Sequence, residues 1–122
     1  MRNAMSEPDK AQAEKILSRV GFFDRFPAGR LRPPVGIIPG AIDGLEELHL
    51  LLTPDDRGLP GLNLKALTGW VREKIGDTEL ATALETNIGS AGSYVDGCLR
   101  THEIVGKRLS QARTTLDKEV IT

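Results

Sequence analysis

Aromatic residues are scarce in this chain. Three Phe, one Trp and one Tyr are all that 122 residues contain. A core of this size must therefore be assembled mainly from Leu, Ile, Val and Ala, which suits helix packing. Cysteine is scarcer still: Cys98 stands alone, which excludes an internal disulfide and fits a reducing compartment. Long apolar runs are missing. The longest is Leu50-Leu51-Leu52, far below the ~20 residues that cross a bilayer. The stretch Met1 to Met5 is polar and lacks the apolar stretch of a secretory signal. Neither sign of charge is in excess, with 16 basic and 17 acidic residues and a net charge of −1. Neutralising phosphates takes a surplus of Lys and Arg, so general binding to nucleic acid or to an anionic membrane is disfavoured. A cytoplasmic protein without membrane contact is the expectation, and no cofactor motif is present.

What remains is an ordinary globular composition, 39% hydrophobic and 27% charged. One domain is expected at this length. We divide the chain into a disordered extension, 1–5, and a single helical domain, 6–122. The predicted fold is mainly all-α: a small bundle of about five helices, a Pro/Gly-rich extended segment at 22–40 and a long C-terminal helix.

The first helix is predicted to start near Ser6, a good N-cap, with Asp9 three residues on. Ala13, Ile16, Leu17 and Val20 then define one apolar face, and Gly21 is the expected stop. In 22–40 the character changes. Phe22, Phe23 and Phe26, every phenylalanine of the chain, fall within five positions, followed by four prolines and three glycines in 27–40. That density rules out a helix interior. The segment reads as an arm that packs onto something, its own domain or a partner, with the three phenylalanines as anchors. Val35, Ile37 and Ile38 fit a short extended stretch. A second helix is expected over 41–52, on Ile42, Leu45, Leu48 and Leu52. A loop of turn residues from Thr53 to Gly61 follows. Asn63 should cap a third helix over 63–75, with Leu64, Leu67, Trp70, Val71 and Ile75 inward. Gly76 ends it, and Asp77 caps a fourth helix over 78–87.

The strongest pattern comes last. Val95, Cys98, His102, Val105, Leu109, Ala112 and Leu116 are spaced three, four, three, four, three, four. That is a heptad-type seam, longer than three short helices need to cover. It predicts an interaction surface for a protein partner or a second copy. Gly97 and Gly106 lower the helicity of this segment, so packing must support it.

The run Trp70-Val71-Arg72-Glu73-Lys74-Ile75-Gly76-Asp77-Thr78-Glu79-Leu80-Ala81 resembles a motif in an uncharacterised prokaryotic family of small proteins. There an aromatic-led helix ends in Gly-Asp and restarts with an acidic residue, Leu and Ala, after a Leu-rich helix. The resemblance spans about 40–85 and implies a helix-turn-helix corner. The family has no assigned activity, so it transfers no functional residue.

Chemistry has few candidates. Cys98 and His102 lie four residues apart and share a helical face. Thiolate and imidazole there fit a metal pair or an activated nucleophile, although both sit on the apolar seam, where a packing role is the simpler reading. Arg25, Arg30 and Arg32 beside the phenylalanines offer an anion or nucleic-acid surface, against the overall charge balance. Acidic residues such as Glu46, Glu47, Asp55, Asp56 and Glu79 form no recognisable acid–base couple. The leading expectation is a non-catalytic helical interaction protein: an accessory subunit or a homo-oligomer. A metal or thiol enzyme on Cys98 and His102 comes second, and a nucleic-acid module third.

Overall fold

The computed structural model describes residues 5–32, 34, 36–54 and 59–121, without the side chains of 32, 37 and 118–121. Five α-helices carry the described fold: α1 (Lys10–Leu17), α2 (Leu45–Leu52), α3 (Leu64–Trp70), α4 (Thr78–Gly89) and α5 (Tyr94–Ile121). Helix α5 is the axis, with α1, α2 and α4 each packed along it and α3 packed on α4. The mainly helical bundle expected from the sequence is therefore the fold that forms. Two small antiparallel sheets are added to it. Strands β1 (Phe26–Pro27) and β4 (Ala41–Ile42) pair, and β2 (Gly29–Arg32) lies between β3 (Gly36–Ile38) and β5 (Leu59–Gly61).

The caps explain where the helices begin and end. Asn63 accepts from the Ala66 amide, and Asp77 accepts from the Leu80 amide, as expected for N-cap residues. Gly76 between them has φ of 81°, a left-handed turn that glycine adopts at little cost. The predicted third helix is one continuous stretch, but its last part, Val71–Ile75, widens into a π-helical turn closed by the Gly76 amide on the Val71 carbonyl. The two helix-interior glycines of α5 mark close approaches. A Cβ at Gly97 would stand 2.8 Å from Leu64 Cδ1, and one at Gly106 would stand 2.9 Å from the His49 ring. Their absent side chains let α3 and α2 approach the axis.

Three boundaries differ from expectation. Helix α1 is capped by Asp9, which accepts from the Gln12 amide, and it stops at Leu17. Ser6 caps nothing in α1, because its amide and hydroxyl both donate to Glu79 on α4. Ala41 and Ile42, expected in the second helix, instead pair with Pro27 and Phe26 as a strand. Leu59–Gly61, expected as loop, is the third strand beside β2. Local propensity for a cap, a helix or a turn at these positions yielded to hydrogen bonds offered by distant segments. Met5, expected in the disordered extension, has its carbonyl bound by Gln111. The rest of that extension, together with Val35, Asp55 and Asp56, lies outside the described residues.

The core collects Ala13 and Ile16 of α1, Leu45, Leu48 and Leu52 of α2, Leu80, Ala81 and Leu84 of α4, and Cys98, Val105, Leu109 and Ala112 of α5. Beside the apolar seam of α5 runs a buried polar column, Thr101, Arg108 and Thr115. These residues recur every seven positions, so they stack along one line of the helix. Arg108 is 0% exposed and Asp77 is 1% exposed. Nε of Arg108 donates to Asp77 Oδ2 at 2.7 Å, and Nη2 donates to Oδ1 at 3.1 Å. Nη1 donates to the Ser6 carbonyl at 2.7 Å and to Gln111 Oε1 at 3.0 Å. Thr115 donates its hydroxyl to the Pro8 carbonyl. Residues 5–8 are thus a strap whose backbone carbonyls are held by α5.

Removing one member of a fully buried ion pair strands the other charge and costs about 3–5 kcal/mol. Asp77→Ala and Arg108→Ala are each expected to lose stability on that scale in urea unfolding. Arg72→Ala breaks an exposed pair with Glu85 and should cost under about 1 kcal/mol. Equal losses in the two sites would show that the buried pair does not hold the bundle together.

Candidate functional site

Phe23, Leu50 and Phe22 are the most exposed large apolar side chains among the described residues, and the two phenylalanines share a single turn. Phe22–Asp24 forms one 3-10 turn, in which Phe22 is 68% exposed and Phe23 is 96% exposed. Their rings meet edge to face with centroids 5.3 Å apart, a favoured aromatic geometry. The Arg25 guanidinium lies 4.0 Å over the Phe22 ring, and its Nε donates to the Phe22 carbonyl. Burying a Phe side chain is worth about 1.5–3 kcal/mol, and this turn forgoes most of that gain for two rings.

The turn is not loose. Its Asp24 carbonyl accepts from Trp70 Nε1 at 2.6 Å, and the Asp24 carboxylate meets Lys74 Nζ at 3.1 Å. Trp70 is buried, with Phe26 packed against it at 5.6 Å between centroids. A buried indole and a buried phenylalanine therefore mount two rings in solvent. Of the three phenylalanines expected to anchor the arm, only Phe26 does so within this chain. Phe22 and Phe23 are held out by the same carbonyl bond that fixes Asp24.

The seam on α5 is mostly core. Val105, Leu109 and Ala112 are buried under the other helices of this chain, and Leu116 is half-buried. The expectation of a free interaction seam fails for that central stretch, because α1, α2 and α4 already cover it. Val95 at its start is 46% exposed, with Leu99 and Tyr94 similarly open. Among the described side chains the seam is most open at that end.

Cys98 and His102 engage different neighbours. The Cys98 thiol is buried and lies beside the Tyr94 hydroxyl, and burial pushes its pKa up from the usual thiol range, partly offset by that hydroxyl. A raised pKa lowers the thiolate fraction, the opposite of what a nucleophile needs. Tyr94 itself is fastened, donating to the Pro60 carbonyl and accepting from the Leu62 amide. His102 stacks on His49 of α2, with ring centroids 4.2 Å apart and planes 14° apart. The Thr53 hydroxyl donates to the His49 carbonyl and lies 3.3 Å from His102 Nε2. Among the described residues no three His, Cys, Asp or Glu side chains group to hold a metal ion, and a tetrahedral zinc site takes four ligands.

The arginines expected to form an anion surface are likewise separate in their bonding. Arg25 is folded over Phe22, while Arg30 donates to the Leu51 carbonyl at the end of α2. The Arg32 side chain lies outside the described residues. Sequence reasoning missed Arg108 and the His49–His102 stack. A charged residue in the middle of an apolar period carries no label of burial, and the histidines are far apart in the chain. No known protein family, characterised protein or solved structure matches the chain.

Burial, then the charges of His102 and Arg113, lower the His49 pKa from its ordinary value of 6.5. The unfolded chain therefore binds the proton more readily. His49 contributes stability that is complete above the ordinary value and is lost as pH falls through and below it. The urea midpoint should drop between neutral and mildly acidic pH, and His49→Gln should flatten that slope. An unchanged slope would show that His49 is not the group responsible. Cys98 should react with iodoacetamide under mildly alkaline conditions more slowly than a free thiol does, and comparable rates would contradict its burial.

Proposed function

We propose that this protein is a non-catalytic interaction module, an accessory subunit or homo-oligomer, that engages its partner through the Phe22–Phe23 turn. One observation carries the reading: two adjacent aromatic rings stand in solvent on a mount of buried residues. Aromatic side chains dominate the energetics of interfaces when they enter a pocket. Held rigid beforehand, they lose little conformational entropy on binding. Arg25 adds a cation that is already stacked on Phe22, so the contact couples apolar burial with a charge. The alternatives have less support. A thiol enzyme would use Cys98, which is buried and poorly ionised, and a nucleic-acid surface would need arginines that converge.

The test is size-exclusion chromatography with light scattering on protein from its native source, with mass spectrometry of what co-elutes. The wild-type chain should elute as a complex or an oligomer. The double variant Phe22→Ser/Phe23→Ser should lose that assembly while keeping its melting temperature, since these rings contribute little to the core. A clean monomer without any partner would overturn the proposal.

A further inference from the structure

Residues 5–17 form an arm whose tertiary bonds reach far along the chain. The strap at its start is held by Glu79, Arg108, Gln111 and Thr115, which stand 73 to 107 residues away. Helix α1 packs chiefly on α5. Three of the strap bonds go to main-chain carbonyls, of Met5, Ser6 and Pro8. Such contacts define a seat for this segment without regard to which copy of the chain supplies it.

The connection to the body is short and already extended. Ser18 has φ −83° and ψ 171°, and Gly21 has φ −69° and ψ 166°. No helix would have to break for the arm to swing out. The connection is pinned by a backbone bond from the Val20 amide to the Asp43 carbonyl, by the Val20 side chain packed against the core, and by the Arg19–Asp43 ion pair at 2.6 Å. The Arg19 side chain is 75% exposed and that of Asp43 is 14% exposed, so the guanidinium end of the pair is open to solvent and screening. An opened arm leaves its seat unsatisfied, because Arg108 Nη1 and the Thr115 hydroxyl lose acceptors inside the bundle. The arm of a second copy satisfies every one of them.

The position of the exposed rings points to the same partner. Phe22 and Phe23 directly follow the connection Ser18–Gly21. In a reciprocal exchange the two connections run side by side about a twofold axis, which brings the two ring pairs together. The rings that no described residue of this chain covers are then covered by their own counterparts.

We propose that residues 5–17 exchange between two copies, each arm seated on α4 and α5 of the other, with the Phe22–Phe23 turns meeting at the join. The inference rests on the proposed role of that turn and names its partner as a second copy of this chain. It predicts a dimer whose formation is slow, since α1 must leave one seat before taking another. Shortening the connection removes the option of folding back, so it favours the dimer.

The test uses full-length wild-type chain, one portion labelled with a heavy carbon isotope and one unlabelled, mixed, unfolded and refolded together at high concentration. Light scattering should give a dimer, and isotope-filtered NMR should give interchain contacts between residues 5–8 and residues 108–115. A chain that stays monomeric at every concentration overturns the exchange, and so does a dimer whose arm contacts are all within one chain. The variant lacking Arg19 and Val20 should be a dimer even on dilution, and a folded monomer would overturn the proposal. Phe22→Ser/Phe23→Ser should raise the dimer dissociation constant about tenfold or more, and an unchanged constant would overturn the role given to the rings. A monomer that still binds another protein through Phe22 and Phe23 would sink the exchange and leave the proposed function standing.

Discussion

Arg108 and Asp77 carry opposite charges inside the bundle, and the rest of the structure is arranged around keeping them paired. Each would be costly to bury alone. Asp77 also closes the first turn of α4 by accepting from the Leu80 amide, so the pair ties the start of α4 to the middle of α5. The remaining donor group of Arg108 then fixes where the strap lies, through the Ser6 carbonyl. Three segments distant in sequence meet at one guanidinium. An apolar pair of the same volume could hold α4 on α5 as firmly. It would supply no donor for the Ser6 carbonyl, which the Arg108 guanidinium holds.

This arrangement accounts for the character of α5. An apolar seam is legible in its spacing, and Cys98, Val105, Leu109 and Ala112 are indeed buried. Beside that seam, one position before His102, Leu109 and Leu116, lie Thr101, Arg108 and Thr115, which are also buried. Thr115 and Arg108 are buried because the strap and Asp77 supply their partners. Thr101 has a buried hydroxyl without a hydrogen-bond partner among the described residues. The free interaction seam expected along α5 is instead the axis of the chain's own core, and among the described side chains it opens near Tyr94, Val95 and Leu99.

The candidate contact shows the same division at smaller scale. Three clustered phenylalanines mark the segment 22–26 as unusual from the sequence alone. Which ring faces inward is decided by Trp70, whose indole donates to the Asp24 carbonyl and whose ring packs against Phe26. Cys98 and His102 share a helical face, as their spacing requires, yet Tyr94 and His49 claim them separately. The His49–His102 stack depends on α2 approaching α5 at Gly106. That approach is written in no local pattern around either histidine.

Helix identity, the stop at Gly76, the caps at Asn63 and Asp77 and the long final helix follow from sequence, because periodicity and capping act within a few residues of one another. The boundaries of α1 and α2, the two sheets, the burial of Arg108 and the exposure of Phe22 and Phe23 were decided by tertiary structure. Each depends on a hydrogen bond or contact from a segment far along the chain. A charged or apolar residue does not by itself declare whether such a partner will arrive.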